Sequence, residues 1–233
     1  MVTTPEIDED LLFPSSDGNP MADNTEQYNW IVLIKENLES LFFDNDHVFI
    51  AGDLLWYPVY SVKAPSAAPD VMVVFGRPKG PRKSYKQWRE DNIPPQVVFE
   101  ILSESNTKKK MAEKLRFYQS YGVEEYYIYD PEEYILTVRM RDGNELKEVP
   151  VEREWISPRL GIKFDKSQGE LIIYTPNGQE FLSPSGSIVE ARVQRQIAEQ
   201  ERQRAEQAEH RARILAEQLK ALGIDPDNLP SQI

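Results

Sequence analysis

Two carboxylates and a lysine are the residues of this chain whose types and spacing could do chemistry. Asp70 stands at the head of the apolar run "APDVMVVF", and Glu100 sits inside "QVVFEILSES". Lys114 follows fourteen residues after Glu100, in "NTKKKMAEKLRFYQSYG". A carboxylate inside an apolar strand is expensive to bury unless an arginine, a lysine, a proton or a metal compensates it. In a strand, residues two apart share a face, so Asp70 goes with Met72 and Val74, and Glu100 with Val98 and Leu102. Two acids on neighbouring strands facing the same way repel unless a positive charge lies between them. A hard divalent ion supplies that charge, since Mg2+ commonly takes one or two carboxylates plus waters and substrate phosphate. Such an ion polarises a phosphoryl oxygen and generates hydroxide, and a nearby lysine stabilises the extra charge on phosphorus. The plainer alternative is that Asp70 caps a turn after Pro69 while Glu100 pairs with Lys114 or Arg116.

Composition removes several other chemistries. There is no cysteine, and the only histidines are His47 and His210. Thiol catalysis, zinc ribbons and a Ser-His-Asp triad are therefore not expected. No apolar run is long enough to span a bilayer, and the acidic start does not look like a signal peptide, so the expectation is a cytoplasmic protein without a membrane partner. The net charge of −12 argues against nucleic acid at first sight, but it is unevenly spread. Residues 1–26 hold seven acids and no base, and residues 187–233 hold eight acids and seven bases, which leaves the body at −4. That body has two basic clusters, one on each side of Glu100. "RPKGPRKSYKQWR" (77–89) offers Arg82, Lys83, Lys86 and Arg89, and "KKKMAEKLR" (108–116) offers Lys108, Lys109 and Lys110. Either could be a solvated surface, and together they make a candidate DNA-binding surface. Trp88, among the basic residues, is the one aromatic considered for stacking on a base.

The elements that must position these residues follow from periodicity. Residues 1–21 are acidic and rich in Pro, Ser and Asp, and read as a flexible arm. Residues 22–43 read as a helix with Asp23 and Asn24 as caps and an apolar stripe at Trp30, Ile31, Ile34, Leu38 and Leu41. Strands are expected at 47–51, 53–59, 70–76 and 97–102, then a helix over 106–122 ended by Gly122, then a strand at 124–131. Shorter strands follow at 134–141, 145–149, 160–165 and 170–175. The order specifies an α/β fold with a mixed sheet flanked by helices over residues 22–185. From 186 to 222 Glu, Gln, Arg and Ala dominate, and Ala205, Ala208, Ala212, Leu215, Leu219 and Leu222 form a heptad seam. This long helix is expected to form a coiled coil and make the protein a homo-oligomer, with 223–233 a flexible end.

"APDVMVVF", "PPQVVFEILSESN" and "EKLRFYQSYGVEEYYIYDP" together resemble the Uma-type restriction endonuclease domain, a bacterial branch of the PD-(D/E)XK nuclease superfamily. The resemblance spans roughly residues 22–175. It implies a restriction-endonuclease-like core, a Mg2+ or Mn2+ site and hydrolysis of DNA phosphodiesters. Asp70 then matches the motif's aspartate and Glu100 its second acid. The usual lysine two residues after that acid is replaced by Leu102, and Lys114 of the next helix takes its role. Lys110 departs from the pattern, because relatives usually carry an acid there. Glu26, in the first helix, and Asp53, after Gly52, are candidates for a further carboxylate. The rival function is a nuclease fold that has lost cleavage and serves as a DNA-binding or assembly module on its helical tail.

Overall fold

A computed structural model of the chain describes residues 9–222 except 17 and 19. It divides into two units, residues up to Ser183 and the helical segment from Pro184 onward.

The first unit is built on a six-stranded mixed sheet. In chain order its elements begin with a one-turn helix α1 (Glu9–Leu12), the helix α2 (Thr25–Leu41), and strands β1 (Val48–Gly52), β2 (Trp56–Tyr57), β3 (Val71–Phe75) and β4 (Tyr85–Lys86). A 3-10 turn (Gln87–Arg89), β5 (Val97–Ile101), α3 (Lys108–Ser120), β6 (Glu125–Asp130), β7 (Ile135–Asp142) and β8 (Glu145–Val149) follow. The main sheet runs β1-β3-β5-β6-β7-β8, and only β5 and β6 are parallel in it. That parallel pair needs a crossover, which α3 provides.

Each helix covers one face. From α2, Trp30, Ile31, Ile34 and Leu38 pack on Val71, Val73, Val97, Phe99 and Ile101. Each fully buried apolar side chain of this size contributes about 1.5–3 kcal/mol. On the other face Phe117 and Tyr118 of α3 meet Met72, Val74, Val98 and Tyr126. The odd–even alternation along β3 and β5 therefore assigns Asp70 and Glu100 to the α3 face, as the strand period requires. Asn24 caps α2 by accepting the N–H of Gln27, and Thr107 caps α3 by accepting the N–H of Lys110. Gly122, at φ 96°, lies so close to Pro94 that a Cβ there would be 3.1 Å from its ring, which holds α3 against the loop before β5.

The α/β class and the mixed sheet are those expected, with three differences. Residues 160–165 and 170–175 do not extend the main sheet: β9 (Glu154–Ile156), β10 (Lys163–Asp165) and β11 (Ile172–Tyr174) form a separate three-stranded sheet. The strand expected over 53–59 shrinks to β2, which pairs with the two residues of β4 and makes one isolated bridge, from Trp56 to Ala67. The acidic arm is not loose throughout. Phe13 is buried against Tyr57 and Trp88, so an apolar anchor outweighs the composition around it.

The second unit is α4 (Pro184–Ala221), 38 residues with no buried side chain. Ile188, Val189, Val193, Ile197, Ile214 and Leu215 are all exposed on it. Residues 1–8 and 223–233, expected to be flexible ends, lie outside the described residues. Among the described residues no helix is long and apolar enough to cross a membrane.

Candidate active site

Glu100 lies near the end of β5 with its carboxylate almost sealed, at 1 % side-chain exposure. Each of its oxygens has a donor. Lys114 Nζ donates to Oε2 at 2.5 Å, and the Tyr118 hydroxyl donates to Oε1. Lys114 and Tyr118 are one helical turn apart, so they stack on the same side of α3 and reach the same strand position. Arg116, the other sequence candidate for pairing, makes no such bond and lies on the wall of the neighbouring cleft.

Asp70 immediately precedes β3. Its Oδ2 accepts the backbone N–H of Ile101 at 2.6 Å, which ties the end of β5 to the start of β3. The Asp70 carboxyl is pushed up to about 8, first by burial and then by the neighbouring Glu100 charge. Burial alone would lower the Lys114 ammonium, but the charges of Glu100 and Asp70 override it and the net shift is upward. One lysine thus serves two carboxylates. The Tyr126 hydroxyl is buried nearby without a hydrogen-bond partner, and burial, then Glu100 and Asp70, raise its pKa.

Asp70 and Lys114 line a cleft of about 760 Å3, together with Asp23, Gln27, Asp53 and Lys110 among others. Glu100 lies beneath Lys114. Asp53 is held at φ +47°, with its N–H donating to the carbonyls of Pro69 and Asp70, and its charge acts on both Asp70 and Lys114. Non-glycine residues in this backbone region cost energy and cluster at functional positions. Glu26 does not reach the cleft. It is exposed on the first turn of α2, and its charge acts on Tyr129 at the opposite face of the sheet. Its neighbour Gln27 is the α2 residue that turns inward, donating to the carbonyl of Ile101.

The basic loop is differently disposed from the sequence expectation. Arg82 is not offered to a ligand: it is committed to Glu90, to the carbonyls of Pro78 and Gly80, and to the ring of Phe49. Lys83 and Lys86 meet Asp10, and Arg89 meets Glu9. The hydrogen bond from Lys83, then that from Lys86, holds the Asp10 carboxyl down to about 2. Trp88 is packed between Phe13 and Tyr60, so its faces are taken by protein rather than left for a base. Lys108, Lys109 and Lys110 are all exposed in the first turn of α3, which holds no acid of its own, and the Lys110 charge acts on Asp23.

Tyr118 was not legible as a site residue, because a tyrosine in a helical stripe reads as core. Its position four residues after Lys114 is the signal that could have exposed it. Gln27 and the Asp23 cluster, in which Asp23 accepts from Ser103 and Ser105, were likewise hidden.

A family profile described as "Uma2: Putative restriction endonuclease" matches residues 22–165, more than half of the chain and all of the residues just described except the arm. The chain belongs to the Uma2 family. Among solved structures, an Uma2-sized match is a crystal structure titled a "putative nuclease belonging to DUF820" from Anabaena variabilis. It is 16 % identical, covers 59 % of this chain and 80 % of its own, and has a TM-score of 0.40. No curated protein matches.

For a divalent metal the Uma2 chain offers two carboxylates. Among the described residues no group of three or more His, Cys, Asp or Glu side chains could hold a metal ion. The donor chemistry nonetheless fits Mg2+ or Mn2+. Asp70 and Glu100 are hard oxygen ligands, burial and then the Glu100 charge raise the Asp70 carboxyl, and the cleft has room for waters and a phosphate.

Proposed function

We propose that this Uma2 chain is a Mg2+- or Mn2+-dependent DNA endonuclease that hydrolyses phosphodiester bonds, with Asp70 and Glu100 as metal ligands and Lys114 stabilising charge on the phosphate. The observation that supports this reading is buried Glu100 bonded by Lys114, with cleft-lining Asp70 near enough to feel both charges. A bound divalent ion would polarise a phosphoryl oxygen and lower the pKa of a water.

The residues of the chain supply the rest. Lys114, on the cleft wall, is a charged donor on a long stem, with its ammonium bonded to Oε2 of Glu100. Directed at a bound phosphate, this ammonium would offset the charge that grows in the transition state. Asp70, tied to the Ile101 N–H through Oδ2, lines the cleft. Lys108, Lys109 and Lys110 stand at the helix end whose dipole already favours anions, and so favour phosphates of the DNA backbone.

One observation favours a second reading, the DNA-binding or assembly module without cleavage. The basic residues of 82–89 are paired with acids of the same chain, which weakens the surface expected to recruit DNA. A cleavage assay on supercoiled, linear and single-stranded DNA with Mg2+ or Mn2+ separates the two. Cleavage by the wild type and none by Glu100→Gln supports the enzyme. DNA binding without cleavage under every metal condition rejects it.

A further inference from the structure

Building on the metal-site reading above, we propose that Tyr118 is a positioning residue: it holds Glu100 by Oε1 from the core side and keeps Oε2 turned to the cleft, where a divalent cation binds.

The two donors on Glu100 are unequal. Tyr118 is fully buried, its ring stacked on Trp56 at a centroid distance of 6.4 Å and edge-on to Tyr126 at 5.0 Å and Phe117 at 5.7 Å. It has no room to withdraw. Lys114 lines the cleft with its side chain 26 % exposed, on a flexible stem. It can withdraw. The oxygen under Lys114 is therefore the one that opens to the cleft, and the oxygen under Tyr118 stays occupied whatever binds.

The consequence follows from torsional freedom. The last bond of a glutamate has a broad rotational profile, so a carboxylate with one movable partner does not keep one orientation. A rigid phenol on Oε1 removes that freedom. Partners that orient a metal ligand in this way typically contribute 10- to 100-fold to metal affinity. The neighbouring Tyr126, equally buried but without a hydrogen-bond partner, has no such hold on the carboxylate.

Tyr118→Phe in the full chain tests this, since the ring and its packing are kept. Calorimetry with Mn2+ should show about tenfold weaker binding. The Mg2+ concentration for half-maximal DNA cleavage should rise in step, with the rate at saturating Mg2+ close to wild type. Because the effect passes through Glu100, adding Tyr118→Phe to Glu100→Gln should cause no further loss of Mn2+ affinity. Lys114→Met should bind Mn2+ at least as tightly as wild type, because it removes the competitor on Oε2; this arm holds even should the Tyr118 variant not fold. Unchanged Mn2+ affinity in Tyr118→Phe, an additive loss with Glu100→Gln, or weaker Mn2+ binding in Lys114→Met each overturns the assignment. A wild type that binds no Mn2+ and cuts no DNA overturns the nuclease reading itself, and this inference with it.

Discussion

The ammonium of Lys114 lies 2.5 Å from Oε2 of Glu100, bridging a strand and the helix that follows it. A pair this close answers the cost of burying Glu100, but it leaves Asp70 on the same face without an ammonium of its own. On the proposed reading, the lysine holds the Glu100 carboxylate that a divalent ion would need as a ligand. Breaking such a buried pair from one side leaves an uncompensated charge, so substitutions here act on both folding and chemistry.

Lys114 and Lys110 should separate by role. Lys114→Ala should abolish cleavage, a loss of about 3 kcal/mol or more in transition-state stabilisation. Lys110 is exposed one turn earlier, at the rim of the cleft. Lys110→Ala should weaken DNA binding and reduce the salt slope by about one phosphate contact. Cleavage rates at saturating DNA, with binding measured across a salt series, check both. Survival of cleavage in Lys114→Ala with its loss in Lys110→Ala would mean the roles are reversed.

Asp70 predicts a pH dependence of stability. Its folded carboxyl is pushed up to about 8 from an ordinary 3.8, so the folded chain holds a proton that the unfolded chain has given up. The associated stability is fully present below about 3.8 and is lost as pH rises through about 8. In the absence of divalent cations, Asp70→Asn should melt several degrees above wild type at pH 8, with a smaller gap at pH 5. Saturating Mg2+ should close the gap by stabilising wild type alone. Thermal melts at both pH values, with and without Mg2+, decide it; a gap that does not depend on pH counts against the coupling.

Glu9 and Asp10 occupy the cations of the basic loop. Lys83 and Arg89 are largely exposed, at 77 % and 67 %, so their ion pairs contribute little to stability. Glu9→Gln with Asp10→Asn should leave the melting temperature within a degree or two. It should tighten DNA binding at low salt and steepen its salt dependence. Equal affinity and slope in the variant and the wild type would show that this loop does not touch DNA.

Helix α4 buries none of its side chains within the chain, although its seam from Ala205 to Leu222 keeps heptad spacing. A long helix this polar is stabilised by packing on another helix. Removing residues 187–233 should therefore lower the oligomeric state and leave the first unit folded. Light scattering on both chains checks this, and a monomer in both cases removes the coiled coil.

What the sequence determined by itself was the local and periodic part. Alternation in "DVMVVF" and "VVFEIL" put Asp70 and Glu100 on one face, and helical spacing in "KKKMAEKLRFYQS" put Lys114 on the side toward them. Those relations depend on residues within a few positions of each other, which backbone geometry links directly. The family resemblance rested on the same stretches. Tertiary structure alone decided which partner each charge would take. Glu9 and Asp10 find Arg89, Lys83 and Lys86 across more than seventy residues, because Phe13 is anchored beside Trp88 and carries them there. Arg82, indistinguishable from Lys83 in a basic run, is drawn inward by Glu90 and the ring of Phe49. Tyr118 became a partner of Glu100 only once α3 had packed across β5, since a phenol in an apolar stripe shows its hydroxyl's destination only when the strand beneath it is in place.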